Sequence, residues 1–189
     1  MSINNIKDLM IEFAENPFDA SINFKLALEY DSLGQPASAV SYYLRAAEYG
    51  YKTDQLIVYT SLLKMSLCFE KQGDRKHAVS NSILQAIAYL PKRPEAYFLL
   101  SKFYEKNSSW QECYTHAVIG MSTLDNPLVR LPAIIDGYHG DYVLEFQMAV
   151  SAWWIGQKDE SLKILLKLKN LPMSSDYETA VKNNLNIIL

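Results

Sequence analysis

The feature that most restricts what this chain can fold into is an internal repeat. Four segments carry one series: a small residue, an aromatic or small residue three later, a turn residue four after that, and a second small residue five further on. The series reads Ala27, Tyr30, Gly34, Ala39; then Ser66, Phe69, Gly73, Ala78; then Ser101, Tyr104, Ser108, Cys113; and finally Ala149, Ala152, Gly156, Ser161. A unit repeated in this way cannot bury its apolar face alone and must stack on its neighbours, so the fold is a repeat array.

The spacing is helical. Apolar residues recur at i, i+3, i+4 and i+7, as in Leu62, Met65 and Phe69, and in Leu162, Leu165 and Leu166. Each series therefore predicts two antiparallel helices: small residues let the backbones approach, the aromatic fills the layer beside them, and the turn residue takes the left-handed conformation that ends the first helix. With 49% hydrophobic and 21% charged residues, and only seven Gly and seven Pro, the composition is that of an ordered protein.

These residues resemble the tetratricopeptide repeat, whose period is about 34 residues and whose signature contains the same Ala, aromatic, Gly, Ala series. The first copy, NFKLALEYDSLGQPASAVSYYLRAAEYG, matches best. The fourth drifts, with Ala152 where an aromatic is usual and Ser161 where Ala is usual. The resemblance implies an all-α, right-handed α-solenoid of antiparallel helix pairs. The stretches LLKMSLCFEKQGDR, PKRPEAYFLLSKFYEK and WQECYTHA are similar to a narrower group of such modules, associated with family-2-like glycosyltransferases. That resemblance implies a glycosyltransferase as partner, since the chain has no room for the catalytic domain itself.

A single domain over residues 1–189 is expected: an opening helix in 1–16, copies at 17–54, 55–93, 94–124 and 142–171, and a capping helix in 172–189. Ile6, Leu9, Met10 and Phe13 share one face of the opening helix, which stops at Asn16-Pro17. Ser175 to Glu178 reads as a capping box, followed by Tyr177, Val181, Leu185 and Ile188 on one face. Residues 125–141, DNPLVRLPAIIDGYHGD, interrupt the pattern with two Pro and two Gly. Irregular segments on a rigid scaffold often carry function.

Chemistry is sparse. Cys113 and His116 could be two zinc ligands or a thiolate beside its base, yet Cys113 occupies the repeat's small buried slot, and packing is the simpler reading. Asp136, Tyr138, His139 and Asp141 form the one local cluster of His and carboxylates. It lacks calcium-loop spacing and reads first as a glycine-rich turn with Asp141 as N-cap, and second as a contact loop. Trp110, Trp153 and Trp154 read as core before sugar-stacking surface. Lys92 and Arg93, between Pro91 and Pro94, read as a solvated basic step. No cofactor, metal site or catalytic group is predicted.

A net charge of −3 gives no basic excess for nucleic-acid binding, and the apolar runs are far shorter than the roughly 18 residues of a membrane span. Two cysteines with no CxxC pair, and no secretory leader pattern at the start, predict a cytoplasmic protein. Three residues before and one after each first small residue stand Phe24 and Leu28, Leu63 and Leu67, Phe98 and Lys102, Phe146 and Val150. First helices line the inner face of such arrays, so these eight are expected to form an apolar groove for a protein or peptide. The resemblance also implies that no carboxylate clamp operates here, because Phe24 and Leu28 stand where clamp-bearing repeats have Lys and Asn. The predicted function is a non-enzymatic adaptor, with a self-associating structural protein as the alternative.

Overall fold

The computed structural model describes residues 3–124 and 129–188, with side chains from Ile6 onward. The first four residues of the expected insertion, residues 1–2 of the opening segment and Leu189 of the cap lie outside the described residues. All regular elements among the described residues are helices: α1 (Ile3–Glu15), α2 (Ala20–Ser32), α3 (Pro36–Gly50), α4 (Gln55–Gln72), α5 (Lys76–Tyr89), α6 (Pro94–Lys106), α7 (Trp110–Met121), α8 (Tyr142–Trp154), α9 (Lys158–Leu168) and α10 (Ser175–Ile188). None of them is long and apolar enough to cross a membrane.

The helix starts have local causes. Asp19 accepts from Ile22 N at 2.8 Å, and Asp54 accepts from Leu56 N and Ile57 N at 3.1 and 3.0 Å, satisfying donors that the first turn leaves unpaired. Pro36 and Pro94 sit at first helical positions, where no donor is needed. Two expected caps differ. Ser175 lies inside α10 as its first residue, because Glu178 N bonds to Ser174 O at 3.0 Å instead. Asp141 precedes α8 but already has helical backbone angles and makes no side-chain cap.

The turns within helix pairs follow one pattern. Gly34, Ser108 and Gly156 have φ of 69°, 56° and 88°. In each case the next residue's N–H bonds back five positions: Gln35 to Tyr30 O, Ser109 to Tyr104 O, and Gln157 to Ala152 O, at 2.9, 2.9 and 2.8 Å. That is the Schellman closure, which ends a helix by reusing its orphan carbonyls. The second copy departs from it, with Gly73 at φ 73° followed by Asp74 at φ 46°.

Contacts divide the helices into two compact units. The first holds α1 to α5 together with Val129–Ile135. Consecutive helices pack in order within it, and the first helices α2 and α4 also touch. Here α1 docks through Phe13, whose ring meets Tyr42 edge-on at 5.7 Å while Tyr42 stacks on Tyr30 at 5.3 Å. The second unit holds α6 to α10 with residues 136–141, and in it α6 touches α8 as well as α7. Its far end is a core of Phe146, Ala149, Leu165, Leu168, Val181 and Leu185, so α10 covers the apolar face of the α8–α9 pair.

The small positions are closely packed. Ala27, Ala39, Ser66, Ser101, Cys113, Ala149 and Ser161 are all buried, and Ala78 is half-buried. Leu166, expected on the buried stripe of α9, is instead exposed, because the stripe runs through Leu165 and Leu168. The tightest approach is at Gly120 on α7, where an added Cβ would lie 2.8 Å from Tyr97 Cβ and 2.9 Å from Leu144. Tyr97 Cβ is fixed to backbone and cannot give way.

Two substitutions test this packing by thermal unfolding. Gly120→Ala is expected to lower the melting temperature, since overpacking of about 1–3 kcal/mol outweighs the ~1 kcal/mol that Ala gains over Gly in a helix. Ser108→Gly is expected to raise it by a few degrees, because relieving a non-glycine residue at positive φ is worth about 1 kcal/mol. An unchanged or lower midpoint for Ser108→Gly would mean that the turn carries no strain.

Candidate functional site

The eight expected groove residues separate into two kinds. Phe24, Leu63, Phe98 and Phe146 are buried, whereas Leu28, Leu67, Lys102 and Val150 are half-buried. The expectation of an open eight-residue groove is corrected accordingly. A residue three before the small position lies on the same helical face as that position, and so points into the contact that the small residue makes close. The residue one after is rotated about 100° to the edge.

What covers the three buried phenylalanines differs by unit. In the first unit Phe24 packs on Tyr43 of α3, ring centroids 5.9 Å apart. In the second, Phe98 is met by Tyr138 at 5.6 Å and Phe146 by Tyr177 of α10 at 5.2 Å. Val150 packs against the core that Phe146 belongs to. Lys102 holds its ammonium 5.5 Å from the Phe98 ring centre, a cation–π arrangement. Leu28 and Leu67 of the first unit thus remain as the apolar part of the expected groove with accessible surface.

The structure places the second candidate, the loop of Asp136, Tyr138, His139 and Asp141, against the α6 pair of the first. Tyr138 turns inward onto Phe98, and burial, with Glu95 and Asp141 nearby, raises its hydroxyl pKa. Asp136, His139 and Asp141 are exposed and do not converge. Among the described residues, no group of three or more His, Cys, Asp and Glu is placed to hold a metal.

Other chemical candidates resolve into packing. Cys113 is buried and donates to Gln147 Oε1 at 3.6 Å, while His116 bonds to Glu112 O at 2.8 Å and stacks on Tyr104 at 5.2 Å. Each side chain is thus engaged with other groups. Arg93 corrects the solvated basic step: it is buried, with Nε and Nη2 on the two carboxylate oxygens of Glu95 at 3.2 and 2.6 Å. Lys92 stays exposed. Trp110 stacks on Trp154 at 5.2 Å, and Lys158 lies 4.7 Å over Trp153. Trp154 itself is 60% exposed, more than the core reading expects.

One surface was not anticipated from the sequence. In the first unit a groove of about 650 Å³ runs between α3 and α5 with α4 as its floor. Ala47, Val58 and Leu62 form the base, Leu44, Tyr51, Ala88 and Tyr89 the walls, and Glu48 and Gln85 the polar rim. Leu44 and Tyr51 are 54% and 61% exposed. Tyr89 holds the end of the groove by donating from its hydroxyl to Tyr51 O at 2.8 Å, with the two rings 5.3 Å apart. The available signal is the presence of Leu44 on α3, and of Tyr51 directly after it, outside the small-residue series.

No family model and no curated protein matches the chain. Solved structures do. MamA covers 95% of this chain over 89% of its own length at 15% identity and a TM-score of 0.66. PilW, a type IV pilus biogenesis factor, covers 95% over 76% at 17% and 0.69. The TPR-like repeats of a kinesin light chain from Podospora anserina cover 88% over 83% at 17% and 0.60. The fold is that of a tetratricopeptide-like repeat protein.

Neither cysteine is disulfide-bonded and both are buried, which pushes each thiol up to about 12. A thiol reagent such as Ellman's reagent at pH 8 is therefore expected to leave both unreacted in the native protein and to titrate both after denaturation. Rapid labelling of native Cys113 would overturn its packing role.

Proposed function

We propose that this protein is a non-enzymatic scaffold that binds another protein or a peptide. The groove between α3, α4 and α5 carries the reading: an accessible apolar cleft of about 650 Å³ with two tyrosines at one end and a thin polar rim suits a few apolar side chains of a helical or extended segment. Enzyme function has no comparable support, since no nucleophile, base and orienting group share a site among the described residues. The half-exposed Leu28 and Leu67 form a second candidate face in the same unit. The glycosyltransferase context remains part of this reading on the resemblance of three sequence stretches alone.

A specific observation also favours self-association as a second reading. Ile11 on α1 and Ile187 on α10 are 63% and 78% exposed, on the helices nearest the two ends of the chain. A mass that rises with concentration in light scattering, and returns to monomer in Ile11→Glu or Ile187→Glu, would establish it.

The groove is tested with partners captured from the native cell and identified by crosslinking. Leu44 and Ala88 are exposed, so Leu44→Glu with Ala88→Glu is expected to keep the melting temperature and weaken partner binding at least tenfold, since each charge must be desolvated in the complex. Undiminished binding by the folded variant would remove the groove from the interface. Loss in Leu28→Glu with Leu67→Glu instead would move the contact to the first-helix face.

A further inference from the structure

The groove between α3, α4 and α5 is charged in one sense. Among the described residues that line it, Glu48 is the one ionised side chain; it is exposed, and its carboxylate makes no ion pair among the described residues. Leu44, Glu48 and Tyr51 stand at i, i+4 and i+7, and Tyr51 keeps helical backbone angles as the cap of α3, so the three share one edge. Gln85 and Tyr89 share an edge of α5 at i and i+4. Tyr51 and Tyr89 meet with their rings 5.3 Å apart, and Glu48 and Gln85 lie one turn back along their helices. Along its walls the groove thus offers apolar surface, then a carboxylate and an amide, then two aromatic rings. The surroundings keep the same sign. Both α3 and α5 finish at the tyrosine end, and the carbonyl ends of helices carry partial negative charge. The start of α4, of opposite sign, is capped there by the carboxylate of Asp54. Burial, and after it Tyr51 and Asp54, raise the pKa of the Tyr89 hydroxyl, so this end disfavours a further negative charge. Two cations stand nearby but outside the lining: Arg45 lies over the Phe13 and Tyr42 rings at 5.8 and 5.6 Å, and the exposed Lys52 follows Tyr51.

We infer, on the reading that this groove is the binding surface, that its occupant is a peptide segment carrying an arginine, whose guanidinium pairs with Glu48 beside the two tyrosines while neighbouring apolar side chains fill the floor. A guanidinium matches both parts of the site. Its planar fork of donors meets a carboxylate with two bonds at once, and its weakly hydrated face stacks on tyrosine rings, which the compact, strongly hydrated ammonium of lysine does less well. A purely apolar segment laid over the groove would bury Glu48 without a partner, and an acidic one would add repulsion to that cost.

The probe is a phage-displayed library of random dodecapeptides, panned on the wild-type protein after depletion on Ala88→Trp, which fills the cleft from an exposed position without adding charge. The recovered sequences are expected to share an arginine at a fixed distance from two apolar residues. The most enriched peptide is then labelled with fluorescein and its binding read by anisotropy. Replacing its arginine by citrulline, which keeps the shape and removes the charge, is expected to weaken binding to the wild-type protein at least tenfold and binding to Glu48→Gln less than twofold. Glu48 is exposed, so Glu48→Gln is expected to keep the wild-type melting temperature. That coupling between one side chain and one arginine supports the inference. Groove-dependent peptides without a shared arginine, or an equal citrulline penalty in the wild-type protein and Glu48→Gln, overturn it and leave the groove as the binding surface. A library that yields no peptide sensitive to Ala88→Trp removes the groove and its arginine seat together.

Discussion

The close approach of paired helices at small residues is the constraint on which the rest of this structure depends. Where Ala27, Ala39, Ala149 or Gly120 stand, no larger side chain has room, and the layers beside them are filled by rings and branched chains whose positions follow from that spacing. The constraint has a polar cost. Ser101 and Ser161 occupy small positions and are fully buried, and neither hydroxyl has a hydrogen-bond partner among the described residues, whereas Ser66 donates to Leu63 O at 2.7 Å. Size decides at these slots, and polarity yields to it.

The turns show the same hierarchy. Ser108 adopts a left-handed conformation because the closure from Ser109 N to Tyr104 O requires it, just as the corresponding closures require it of Gly34 and Gly156. The helix pair sets the backbone, and the residue conforms. This is why the slot was legible at Ser108 even though the residue is not the usual one.

Legibility ended where burial depends on a later segment of the chain. Spacing along one helix identifies Phe98 and Phe146 as members of an apolar series, but whether they are open or covered is decided by Tyr138 and Tyr177, each some distance along the sequence. Arg93 departs from the solvated position that its sequence suggests for a related reason. The pair with Glu95 spans Pro94 at the start of α6, a spacing that no helical template marks as a contact, so two ordinary surface residues become a buried ion pair. The caps at Ser175 and Asp141 differ from expectation by a single position or by the backbone angles of one residue, which is the scale at which side-chain hydrogen bonding competes with the backbone.

These two kinds of position also separate fold from function. Similar structures reach TM-scores of 0.66 and 0.69 at 15% and 17% identity, so the fold persists while most of its residues change, which leaves many positions open. Leu44, Tyr51, Ala88 and Tyr89 are among those open positions: none belongs to the small-residue series, and Leu44 and Tyr51 leave much of their apolar surface in water. An exposed leucine alone requires no explanation, but three exposed apolar residues and the half-buried Tyr89 around one cleft, with a tyrosine hydroxyl spent on holding a backbone carbonyl at its end, form a shaped surface. A shaped apolar surface that the packing does not require is where the binding energy of a scaffold is most economically placed, because it can change with the partner while the helix pairs beneath it stay as they are.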